Sequence, residues 1–125
     1  MIAVDTNVLR RYLRGVIDGQ TAMLAEAINT GEAYLPPVAL TEALSDRDLR
    51  DDDFEVTRSL PLLQLYYGYW FRAGSLRRKL AARSRSAPIA DCLIAQACID
   101  VNVPLLTFDD GFTRFIDFGL QLIEV

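Results

Sequence analysis

The chain has 125 residues, an apolar fraction of 51%, a charged fraction of 24% and a formal net charge of −4. These are the values of an ordinary soluble globule, and the length suits one domain over residues 1–125 with a sizeable core. No apolar run approaches ~20 residues, and the opening Met1-Ile2-Ala3-Val4-Asp5 lacks a basic n-region; no transmembrane helix or secretory signal is expected, which leaves a cytoplasmic location.

Residues 1–5 read as a short buried strand, apolar and without alternation. Thr6-Asn7 can cap a helix to about Arg14, ended by Gly15, and Asp18 can cap a second helix that Gly31 stops. Ala33-Tyr34-Leu35 is a second short strand. Pro36 and Pro37 then suit the first turn of a helix from about Val38 to Asp46. The acidic stretch 47–53 is a loop or helix start, Phe54–Leu60 a short helix and Leu62–Leu65 a strand. Tyr66 to about Arg83 reads as an aromatic-rich helix, against which Gly68 and Gly74 weigh. Pro88 opens a helix to about Val101, Val103–Thr107 is a strand, Asp109–Phe115 a short helix and Leu120–Val125 a last strand. Short apolar strands alternating with helices predict an α/β fold: a central parallel β-sheet of four to five short strands with helices on both faces.

The chain has no histidine, which removes Ser-His-Asp and Cys-His catalysis and the usual zinc sites. Hydrolytic chemistry would have to rest on carboxylates, with or without a metal. On one helix Cys92 and Cys98 would lie roughly 9 Å apart along the axis, too far for a disulfide. They read as two small buried thiols.

Four acids stand at the edges of apolar segments: Asp5, Glu42, Asp91 and Asp109. In open α/β sheets ligands bind at the carboxyl ends of the strands. Asp5 and Asp109 both follow strands there, Asp91 falls in the first turn of its helix, and Glu42 lies between Leu40 and Leu44. Taken singly, each has a plainer role as a helix cap, a first-turn charge or a solvated residue. Together they suggest one site, and hard oxygen ligands without histidine or thiolate select Mg²⁺ or Mn²⁺ over zinc.

Twelve of the 13 basic residues are arginine. Arg72, Arg77, Arg78, Lys79, Arg83 and Arg85 cluster with no acid among them, the best candidate for contact with a phosphate backbone. The plainer readings are a solvated face, or a surface for the acidic stretch 46–55. Tyr66, Tyr67, Tyr69 and Trp70 fit a core or dimer interface better than base stacking.

Val4-Asp5-Thr6-Asn7-Val8-Leu9, Leu40-Thr41-Glu42-Ala43-Leu44, Ile89-Ala90-Asp91-Cys92-Leu93-Ile94-Ala95 and Leu105-Leu106-Thr107-Phe108-Asp109 resemble, in the same order and across nearly the whole chain, the motifs of PIN-domain ribonucleases. The compact size is similar to that of VapC, the toxin of VapBC toxin–antitoxin pairs. The resemblance implies a PIN-like fold and a Mg²⁺- or Mn²⁺-dependent endoribonuclease that forms homodimers. It also implies a VapB-type antitoxin whose tail inserts at the active site. By position Asp5, Glu42, Asp91 and Asp109 become the catalytic acids. Asp5, Asp91 and Asp109 are metal ligands, Glu42 binds metal or orients the attacking water, and Thr6, Asn7 and Thr107 give support. Asp110, adjacent, can substitute for Asp109.

Other readings fit less well. A receiver domain needs a lysine near the last strand, and the only lysine is Lys79; a haloacid-dehalogenase-type phosphatase wants an aspartate where Asn7 stands. A catalytically silent PIN-like domain serving as a protein- or RNA-binding module remains open.

Overall fold

A computed structural model describes residues 1–125. In chain order the elements are β1 (Ile2–Val4), α1 (Thr6–Leu13), α2 (Gly19–Asn29), β2 (Ala33–Tyr34), α3 (Pro37–Leu44), α4 (Asp51–Ser59), α5 (Tyr69–Ala82), α6 (Ile89–Val101), β3 (Leu105–Leu106) and a 3₁₀ helix (Asp110–Phe118). β1 lies between β2 and β3, parallel to both, with Ala3 opposite Tyr34 on one side and Leu105 on the other.

The expected outer strands are present only as single parallel bridges, Leu35 with Leu62 and Leu105 with Leu122. The sheet is therefore three paired strands flanked by two bridges. Leu62 follows Pro61, whose carbonyl accepts from Leu35 N–H while its own nitrogen can donate nothing. On the far side β3 is two residues long and leaves Leu105 alone to bond Gln121 and Ile123.

Alternate strand residues point to opposite faces, and the core divides accordingly. Val4, Leu106, Ala33 and Leu35 join Val8, Leu9, Leu24, Ala39 and Ala43 on the face covered by α1, α2 and α3. Ala3 and Leu105 join Tyr69, Leu76, Leu80, Ile94, Cys98, Phe112 and Phe115 on the face covered by α5, α6 and the 3₁₀ helix. Both cysteines are buried and free, as their spacing implies.

Several helix boundaries differ from expectation for local reasons. Asp5, not Thr6 or Asn7, caps α1. α3 stops at Leu44, leaving Asp46 outside it. α4 starts at Asp51, so that Asp51, Asp52 and Asp53 fill the first turn, where the helix dipole favours anions. α5 starts at Tyr69 because Gly68 sits at φ +86°, a left-handed conformation that breaks any helix entering from Tyr66. Of the aromatics gathered there, only Tyr69 is core; its hydroxyl donates to Leu93 O at 2.5 Å and ties α5 to α6. No helix is long and apolar enough to cross a membrane.

Candidate active site

The carboxyl ends of β1 and β3 lie side by side, since Val4 pairs with Leu106. The next residues after those strands, Asp5 and Thr107, therefore meet. Thr107 Oγ donates to Asp5 Oδ2 at 2.7 Å, while Asp5 Oδ1 accepts the Thr6 N–H at 2.8 Å and caps α1. Asp5 is 6% exposed. Burial raises its pKa, and the charges of Glu42 and Asp109 push the same way; the bonds from Thr107 and Thr6 offset only part of this.

Thr107 Oγ also accepts from Asn7 Nδ2 at 3.4 Å and from the Asp109 N–H at 3.0 Å. Asn7 Oδ1 accepts the Phe108 N–H at 3.3 Å. One hydroxyl and one amide thus hold the turn that carries Asp109 against the start of α1. The Thr6 hydroxyl donates to Glu42 Oε1 at 3.2 Å and fastens α3 to the same corner.

Asp91 arrives on α6, in the first turn after Pro88. Its carboxyl is pushed up to about 6, by burial first and then by the charges of Asp109, Asp5 and Glu42, with only Arg114 opposing. The structure thus brings Asp5, Glu42, Asp91 and Asp109 within electrostatic reach of one another, on four different elements. The charge of Asp109 raises both Asp5 and Asp91; Asp110 opens the 3₁₀ helix and lines a cleft together with Asp109, Thr107, Gln20 and Thr113.

This donor set fits a hard divalent cation in its chemistry: oxygens only, excess negative charge and one weakly opposing cation. No three of the acids stand at metal-ligating spacing. An ion held here would keep part of its water shell, as Mg²⁺ characteristically does.

Arg114 carried no sequence signal, being an isolated arginine outside every motif. Its guanidinium is held by two backbone carbonyls, Gly111 O at 2.7 Å and Ser86 O. A methyl group at Gly111 would stand 2.8 Å from Arg114 Nη2 and 2.9 Å from Asp109 Oδ1, so the two side chains flank the glycine together. Gln20 was also missed. Its Nε2 donates to Thr107 O at 3.3 Å, and its Oε1 is buried without a partner.

The basic cluster at 72–85 is largely occupied within the chain. Arg72 forms a fork with Asp100, at 2.9 and 2.7 Å. Arg77 donates to Ala87 O, Arg83 stacks on Phe118 and Arg85 pairs with Asp117. Arg78 and Lys79 remain exposed with no such tie.

The PIN domain family matches residues 2–117. No curated protein matches the chain. Among solved structures, VapBC2 from Rickettsia felis bound to a DNA fragment from their promoter is similar at a TM-score of 0.78. It shares 21% identity over 98% of each chain, a likeness that speaks to the fold.

Proposed function

The chain belongs to the PIN-domain family, whose match spans residues 2–117, and on that premise we propose that it is a metal-dependent endoribonuclease acting as the toxin of a type II toxin–antitoxin pair. One observation carries the reading: four carboxylates from four elements converge with no strong counter-charge, and Asp91 rises to about 6, through burial first and then through the charges of Asp109, Asp5 and Glu42. The unit is a single PIN domain over residues 1–125, working in the cytoplasm.

Mg²⁺ or Mn²⁺, when bound by Asp5, Asp91 and Asp109, supplies charge neutralisation at the phosphate and a more acidic water. The chain's own groups do the rest. Thr107 and Asn7 hold Asp5 and the Asp109 turn in register. Glu42, steadied by Thr6, orients the attacking water for in-line displacement at phosphorus, which leaves a 5′-phosphate and a 3′-hydroxyl. Arg114 reaches a non-bridging phosphate oxygen with its free Nη2. Arg78 and Lys79 steer the RNA backbone electrostatically.

The test is cleavage of a mixed RNA pool by the parent and by Asp5→Asn. The variant should fold and cut nothing, and excess EDTA should silence the parent. Full activity in either case sinks the reading. The spacing of the acids gives some weight to a silent binding module instead. Calorimetric Mg²⁺ binding without RNA cleavage would establish that alternative.

Two partners belong to this reading. A VapB-type antitoxin is supported by the fold likeness to a VapBC complex and by a cavity of about 260 Å³ between α1 and the 46–53 segment, which opens beside Thr6. A second copy of the chain is supported by exposed Tyr66, Tyr67, Trp70, Phe71 and Ile89 around the starts of α5 and α6. Light scattering on Trp70→Ser/Phe71→Ser, expected to be monomeric, tests the homodimer.

A further inference from the structure

Phe108 stands in the turn between β3 and the 3₁₀ helix, directly between Thr107 and Asp109, and is 38% exposed. Its main chain is tied from two helices: its own N–H donates to Asn7 Oδ1 at 3.3 Å, and the carbonyl before it accepts from Gln20 Nε2 at 3.3 Å. The Arg11 guanidinium lies 4.5 Å over its ring. Arg11 is one helical turn beyond Asn7 on the same face of α1, and Asp18 holds it in turn at 2.8 Å. A partly exposed phenylalanine is thus held in the turn that carries Asp109, with a cation over its ring.

Resting on the ribonuclease reading above, we propose that Phe108, with Arg11 behind it, is a stacking platform for an unpaired nucleobase of the strand whose phosphate lies over the acids. A flat, pre-positioned π-face takes any base and asks only that the base be unstacked from its neighbours. Arg11 adds a cation to the ring and to the approaching backbone. The adjacent centre is strongly negative, so a strand held there gains from a contact that does not depend on phosphate charge. The platform selects single-stranded or loop RNA without reading its sequence.

The probe is an oligoribonucleotide carrying 2-aminopurine, scanned through positions flanking the mapped cleavage site, bound to inactive Asp5→Asn with Mg²⁺ present. Fluorescence should be quenched at one position next to the scissile phosphate. Phe108→Leu in the same background should lose that quenching, and Phe108→Trp should keep it; matched thermal melting of the three proteins controls for folding. In active enzyme, an abasic nucleotide at that position should lower kcat/KM about tenfold with Phe108 present and make no difference in Phe108→Leu. If Phe108→Leu quenches and discriminates like its parent while cleaving RNA, the platform is wrong and the ribonuclease reading stands. If Phe108→Leu weakens only binding of the antitoxin, the ring docks protein and the proposal falls. Absence of both cleavage and quenching in the parent removes both readings.

Discussion

The Thr107 hydroxyl donates to Asp5 Oδ2 at 2.7 Å across 102 residues of sequence. The same oxygen accepts the Asp109 N–H at 3.0 Å, so one side chain couples the acid after β1 to the acid after β3. Thr107→Val keeps the shape and removes both bonds, together with the longer one from Asn7 Nδ2. It should cost about 1–2 kcal/mol, read by denaturant unfolding, and lower cleavage steeply. Thr107→Ser should recover both, and a Val variant as active as the parent would refute the coupling.

The Asp91 carboxyl, at about 6, titrates above its ordinary value of 3.8. A group whose pKa is raised on folding stabilises the fold in its protonated form. That contribution is full below the ordinary carboxyl range and is lost as pH rises through about 6. Asp5 is raised by burial too and acts in the same direction. Metal-free protein should therefore lose stability as pH rises from the ordinary carboxyl value of 3.8 to about 6 and level off above it, and Asp91→Asn should flatten that slope. Added Mg²⁺ should raise the melting temperature at the upper end, where the acids are ionised. An unchanged slope in the variant counts against the crowding of these acids.

Gly111 lets Asp109 and Arg114 approach from the same side. In Gly111→Ala the new methyl meets only side-chain ends, which can move. Stability should stay within roughly 0.5 kcal/mol of the parent. Cleavage should fall about ten- to hundredfold, because displaced groups no longer meet the phosphate. A parallel loss of stability and activity would mean a folding defect instead.

The six basic residues at 72–85 should separate by role. Burial works to raise Asp100, yet the bonds from Arg72 and Gln96 hold its carboxyl below the usual range. Arg72→Met strands that acid and should lower the melting temperature while leaving RNA affinity unchanged. Arg78→Ala/Lys79→Ala should do the reverse, and should reduce the slope of log affinity against log salt by about 2. RNA binding by filter retention across a salt series, beside thermal melts, reads both. Equal effects of the two variants on RNA affinity would restore the whole segment as one basic surface.

Much was legible locally. Apolar runs of a few residues ending in an acid marked β1 and β3, Pro88 marked the start of α6, and glycines marked helix ends. These signals live in neighbouring residues, where caps, fixed φ angles and the period of burial act directly. At Gly68 the local sign is a single residue: its φ of +86° ends any helix from Tyr66 despite the aromatics around it.

The sequence by itself determined the alternation of short parallel strands with helices and the acids that could form a site. Only the tertiary structure brought the charge of Asp109 to bear on Asp5 and Asp91. It alone joined Arg114 and Phe108 to that corner, and tied Arg72, Arg77, Arg83 and Arg85 to their own chain. It also reduced the outer strands to single bridges. The reason is physical. Caps and periodicity are set within a helical turn or a pleat, whereas each of those outcomes depends on groups brought together from tens of residues apart by burial of the two faces of the sheet.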